Sequence, residues 1–226
     1  MKVSKSPVFI IALFALVMAM GPAPELQAAN PAAPAIGVYE KELIIDRFDD
    51  ADIKTTPAWW EFDALEKNFP EGKSEDNGYY YMQLTGQANN YYVGGMGTYV
   101  GKDLTDFDTL VVSVLGTGPA SGTLRLQLYD DDNTSYQLEQ DSTYKPLYDD
   151  YLEYELPVTW EGWKTVEIPL NKFVDMNPGV GDDIFNPEQK SGSGGMLHFQ
   201  MVVLAVAEKG KIDLGIDSLK FVKKSK

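Results

Sequence analysis

The chain has 226 residues, with 19 Lys and Arg against 34 Asp and Glu, a formal net charge of −15, and no cysteine. So acidic a surface repels nucleic acid and anionic lipid, and it suits neutral ligands or divalent cations. Without cysteine there are no disulfides, thiol nucleophiles or zinc–thiolate sites, so stability falls to a packed core or to an oxygen-ligated metal.

Lys2 and Lys5 precede an unbroken apolar run, Val8 to Met20, which leads into Gly21-Pro22 and then small residues up to Ala28 and Ala29. This pattern predicts a signal peptide over residues 1–29 and an exported protein, periplasmic or extracellular, that keeps no membrane span after cleavage. Residues 30–41, rich in Ala and Pro at their start, read as a tail. Residues 42–223 are long enough to bury the core of a single domain.

From Leu43 to Val222 a period of two recurs between turn residues, which predicts an all-β chain. The first strand runs through Leu43-Ile44-Ile45-Asp46 and ends near Asp49 and Asp50; the last, from Ile212 to Val222, carries Asp217. A long polar loop with Trp59-Trp60 follows the first strand, and large aromatics of that kind, like Trp163, are expected to be buried or to anchor loops. Tyr79 to Thr85 is the next expected strand. Tyr91 to Val100, interrupted by Gly94, Gly95 and Gly97, reads as a bent or bulged one.

Phe107 to Leu115 is strongly apolar and closes on Gly116-Thr117-Gly118-Pro119. Gly122 to Asp130 alternates cleanly: Leu124, Leu126 and Leu128 point inward, and Arg125, Gln127 and Tyr129 point outward. The acidic, Tyr-rich stretch from Asp130 to Trp160 reads as a long loop with an insertion over 141–160, and Asp130-Asp131-Asp132-Asn133 as a hairpin turn. Strands resume at Trp163 to Leu170 and, after a glycine-rich loop, at Leu197 to Ala207, where His198 and Gln200 share one face. Lys223, Lys224 and Lys226 form a solvated basic tail. The expected architecture is a two-sheet antiparallel β-sandwich of jelly-roll type.

Sugar recognition needs aromatic rings to stack on pyranose faces and planar polar groups to bond hydroxyls. Arg125, Gln127 and Tyr129 on one strand, with His198 and Gln200 on another, would supply both if the strands share a sheet; Tyr92 and Tyr136, with Tyr79 and Tyr81, are further candidates. A lone histidine and no G-x-S-x-G motif leave nucleophilic catalysis without support, so the chain reads as non-catalytic.

The order of local patterns carries a resemblance. Ile45-Asp46-x-Phe48-Asp49-Asp50 comes first, then Lys102-Asp103-Leu104-Thr105-x-Phe107-Asp108-x-Leu110 leads to Leu115-Gly116-x-Gly118. Leu126-x-Leu128-Tyr129-Asp130 follows, then Gly162-Trp163-Lys164-x-Val166-x-Ile168-Pro169-Leu170-x-x-Phe173, and last Ile216-Asp217-Ser218-Leu219. Together they resemble galactose-binding-like β-sandwiches, in particular family 11 carbohydrate-binding modules and the complex I intermediate-associated protein family. The resemblance implies a polysaccharide or surface-glycan ligand or, on the second branch, an envelope protein held by the same sandwich. It also implies a structural calcium on Asp49 and Asp217, with help from Asp46 and from carbonyls around Asn77 and Gly78.

Overall fold

A computed structural model describes residues 39–72, 74 and 78–225. The expected leader, most of the tail, Asn77 and Lys226 lie outside the described residues. Twelve strands are defined in chain order: β1 (Tyr39–Asp46), β2 (Trp59–Asp63), β3 (Glu66–Asn68), β4 (Met82–Gln87), β5 (Tyr92–Lys102), β6 (Thr109–Thr117), β7 (Gly122–Asp130), β8 (Tyr151–Val158), β9 (Glu161–Pro169), β10 (Val174–Asp175), β11 (Met196–Leu204) and β12 (Lys211–Lys224). The helical content of the described residues is one 3-10 turn, Leu170–Lys172, and no helix there is long and apolar enough to cross a membrane.

Two antiparallel sheets result. The first has the order β3-β4-β12-β6-β9, with β1 also on β12; the second runs β10-β8-β7-β11-β5-β2. The expected β-sandwich is therefore the observed one. Alternation fills the space between the sheets. Leu124, Leu126 and Leu128 of β7 and Phe199, Met201 and Val203 of β11 face Met82, Leu84, Leu110, Val112, Leu214 and Ile216 of the first sheet, all at 0 % exposure. Each such side chain withdrawn from water contributes about 1.5–3 kcal/mol before entropy is charged against it.

First and last strands lie side by side. β12 is long enough to serve two partners along one edge, β4 against Lys211–Ile216 and then β1 against Leu219–Lys224, while β6 covers its other edge. The change of partner falls at Asp217 and Ser218, where the β6 ladder slips and Ser218 takes φ 47°. The extra residue of this bulge lies between Asp217, still opposite Ser113, and Lys220, opposite Val111, so Asp217 stands where the partner changes.

The structure corrects several sequence expectations. β1 begins at Tyr39, so pairing reaches into the stretch read as tail. Lys223 and Lys224 end β12 rather than forming a tail, and Lys224, although exposed, pairs with Glu167 at 2.6 Å. The loop holding Trp59-Trp60 contains β2, and the Tyr-rich insertion contains β8. In β8 Leu152, Leu156 and Val158 are buried, but acidic outward residues and Pro157 hide the alternation.

β5, by contrast, is the bulged strand expected: it pairs with β11 along its length and with β2 over Gly94–Thr98, and its register against β11 slips between Tyr92 and Gly94 and between Tyr99 and Lys102. A Cβ on Gly97 would come within 2.5 Å of Trp60 Cζ2, and one on Gly95 within 2.3 Å of Phe62 Cζ. The glycines let two aromatic rings lie flat across the strand.

Candidate functional site

The outer face of the second sheet presents two adjacent rows of side chains, fixed by register. One row crosses Tyr99 on β5, His198 on β11, Tyr129 on β7 and Tyr151 on β8; the next crosses Trp60 on β2, Gly97, Gln200, Gln127 and Glu153. His198 is the hub of the aromatic set, with ring centroids 4.9 Å from Trp60, 5.9 Å from Tyr99 and 6.2 Å from Tyr129. Tyr129 and Tyr151 stack at 5.1 Å and 10°.

The polar side chains are held by one another. The Gln200 amide donates to Gln127 Oε1 at 2.7 Å, and the Gln127 amide donates to Tyr151 Oη at 2.7 Å and to Glu153 Oε2 at 2.8 Å. Arg125 bridges Glu153 and Glu155 at 3.4 and 2.7 Å. A satisfied network of this kind is rigid, so the planar amides and the guanidinium keep fixed directions. Burial lowers the His198 pKa to about 4, so the ring is a neutral imidazole at neutral pH. Trp60 and Tyr99 keep 36 % and 48 % of their surface exposed, while Tyr129 and Gln127, at 4 % and 5 %, form the floor beneath.

Arg125, Gln127, Tyr129, His198 and Gln200, named from sequence, are thus brought together on one face. Tyr92 is not among them: it lies seven residues along β5 from Tyr99, roughly 23 Å at strand rise, and its hydroxyl donates to Asp63. Tyr136 stands half exposed in the loop after β7, its N–H donating to Asp131. Tyr79 is exposed beside Asp49, and Tyr81 packs edge-on against Trp163 at 5.2 Å on the other sheet. Trp59 is buried between Phe48 and Phe199, as expected of a large aromatic.

Sequence reasoning missed Trp60, Tyr99, Tyr151 and Glu153 as members of the face. Two signals pointed to them: glycines at alternate positions of an otherwise good strand, and the Tyr151-x-Glu153-x-Glu155 spacing out of phase with Leu152, Leu156 and Val158.

No family model matches the sequence, and no curated protein matches it. Solved structures do resemble it in fold. The family 11 carbohydrate-binding module from Clostridium thermocellum, in complex with a β-1,3-1,4-mixed-linked tetrasaccharide, aligns at TM-score 0.54 and 14 % identity over 81 % of this chain and 96 % of that one. The family 30 module of the cellulosomal cellulase Cel9D-Cel44B from the same bacterium aligns at TM-score 0.52 and 13 % identity over 82 % and 99 %. The chain has the fold of these carbohydrate-binding modules. At such identities the likeness is one of fold, and the family 11 resemblance read from the order of motifs holds at that level.

On this carbohydrate-binding-module fold the acidic residues fall into two groups. Asp49 and Asp217 are brought within reach of each other's charge where β12 changes partner. Asp217 is 1 % exposed, and its oxygens accept from the Ser218 N–H at 2.7 Å and the Ser74 N–H at 3.3 Å. Burial pushes its carboxyl up to about 6, with Asp49 adding to the rise. Asp49 Oδ1 accepts the Tyr79 N–H at 2.8 Å and lies 2.2 Å from where a Cβ on Gly78 would sit.

Asp46 has a different setting. Its two oxygens accept the Phe48 N–H at 2.7 Å and the Trp59 indole N–H at 2.8 Å, which fastens the turn to the core.

The second group stands at the end of β7, in the stretch read as a hairpin turn. One carboxylate oxygen each from Asp130, Asp132 and Asp150 lie within 4.8 Å of one another, a set able to hold a metal ion. Desolvation raises Asp130 to about 8 and Asp132 to about 6, and it raises Asp150 as well.

Proposed function

We propose that this is a non-catalytic module that binds a neutral polysaccharide chain along the outer face of the second sheet. The carrying observation is the paired rows, with Trp60, Tyr99, His198, Tyr129 and Tyr151 beside Gln200, Gln127, Glu153 and Arg125. Exposed rings offer apolar faces to pyranose C–H surfaces, and fixed planar amide, carboxylate and guanidinium groups match vicinal hydroxyls. The tetrasaccharide on the family 11 module supports the ligand class. The net charge of −15 argues against acidic glycans. The leader-like N-terminus supports an exported site of action.

Asp49 and Asp217 are the residues we assign to one structural calcium, joining the turn after β1 to β12. Two carboxylates on hard oxygen donors fit such an ion, which takes its remaining oxygens from loop carbonyls or water.

Affinity electrophoresis through gels containing soluble β-glucans tests the binding face. Retardation is expected for the wild type and is expected to disappear in Trp60→Ala and Tyr129→Ala. Migration that never slows in any neutral polymer would sink the sugar reading.

A further inference from the structure

The last paired residues of β7 and β8 are Tyr129 and Tyr151, and one step beyond them the ladder sets Asp130 beside Asp150. Each lies two residues from an inward leucine, Leu128 or Leu152, so both carboxylates point inward over the mouth of the core. Like charges directly opposed on paired strands are destabilising. None of the ion pairs among the described residues reaches this group.

The donors present do not satisfy it. Asp130 is 0 % exposed; its Oδ2 accepts the Asn186 N–H at 2.8 Å, while its Oδ1 is buried with no hydrogen-bond partner. Asp149, also 0 % exposed, spends Oδ1 on the Asp132 N–H at 3.2 Å and leaves Oδ2 equally without a partner. A buried carboxylate oxygen with nothing to accept is costly. Neighbouring Asp131 shows the contrast: its oxygens take backbone N–H groups of Ser135, Tyr136 and Gly194.

The loop between β10 and β11 closes over the group. The Asp183 and Ile184 N–H groups donate to Asp150, and a Cβ on Gly181 would come within 2.3 Å of Asp150 Oδ1 and 2.4 Å of Asp132 Oδ2. Only glycine brings backbone that near, and its φ of 74° suits glycine as well.

We propose that Asp130, Asp132 and Asp150 bind a calcium-type cation that fastens the 131–149 and 176–195 loops to the end of the sandwich, at a site separate from Asp49 and Asp217. The donors are all hard oxygens from two chain segments, the end of β7 and the residue before β8, without the imidazole or thiolate that would favour zinc. Carboxylates gathered from loops suit the tolerant geometry of calcium better than the strict octahedron of magnesium. The site does not depend on what the sheet face binds.

The test is calorimetric titration of calcium into the purified protein after chelation, together with amide exchange. The number of ions bound is expected to fall by one in the Asp130→Asn/Asp150→Asn variant, independently of Asp217→Asn. Calcium is expected to raise the melting temperature of Asp217→Asn by about 5–10 °C and to leave that of the triple variant Asp130→Asn/Asp150→Asn/Asp217→Asn unchanged. Exchange at the Asp183, Ile184 and Asn186 amides is expected to slow when calcium is added to the wild type. An ion count unchanged in the double variant, or exchange at those amides indifferent to calcium, overturns the site. The asparagines keep the carboxylate shape and remove like charge, so the double variant should fold without metal; if it does not, the exchange result decides alone.

Discussion

His198 is surrounded by Trp60, Tyr99 and Tyr129, and among the described residues neither of its ring nitrogens has a hydrogen-bond partner. Its pKa of about 4 lies below the ordinary 6.5 because burial disfavours the cation. The folded state therefore requires the neutral ring. The unfolded chain binds the extra proton, so the stability this ring contributes is fully present above pH 6.5 and is lost as pH falls toward 4. Relative to His198→Gln, the wild type is expected to lose about 2–3 kcal/mol of unfolding free energy across that window, read by urea denaturation at each pH. Glucan retardation by the wild type should stay level between pH 8 and 6, since the ring does not titrate there.

Asp46 gives a prediction of another kind. Asp46→Ala strands the buried Trp59 indole N–H and the Phe48 N–H, and should cost about 2–4 kcal/mol, measured at pH 7 where the histidine plays no part. A loss under about half a kilocalorie would mean that these bonds do not hold the turn to the core.

At the scale of elements, β5 and β8 decide the face. β5 contributes Tyr99, and through its glycines the space for Trp60. A methyl group at Gly97 must displace the indole, so Gly97→Ala is expected to weaken glucan retardation nearly as much as Trp60→Ala while destabilising the fold by about 1–3 kcal/mol. Undiminished retardation in a folded Gly97→Ala protein would show that the flat indole is not part of the binding surface.

These two strands also mark how far the sequence could be read. β7 was legible to the residue, because Leu124, Leu126 and Leu128 alternate with polar neighbours over a strand bounded by turns. β8 was not: its outward residues are acidic and aromatic, its inward ones include Tyr154, and Pro157 sits near its end, so local pattern resembled a polar loop. The aspartates at 130–132 have the local pattern of a turn for a related reason. Spacing along the chain carries no trace of Asp149 and Asp150, which return to them only when β8 pairs with β7.

For the molecule as a whole, a charge of −15 has consequences for both stability and partners. If the ligand is a neutral glycan, raising salt from about 0.05 to 0.5 M should leave retardation nearly unchanged, because screening acts on charge–charge attraction. A steep loss of binding with salt would point to a cationic partner instead. Both acidic groups sit where loops meet strand ends, at the bulge of β12 and at the mouth between β7 and β8, so cations there would lock the two places at which the ladders stop holding the chain.

The sequence by itself determined the fold class, the inward residues of the regular strands, and the outward direction of five residues of the face, because each follows from a period of two over a short stretch. The tertiary structure alone decided that Trp60 lies over Gly97 beside His198, that Tyr151 stacks on Tyr129, that Tyr92 belongs to the far end, and that Asp130 meets Asp150. Those are contacts across strands distant in sequence, and their register is set by how two complete sheets fit over one core.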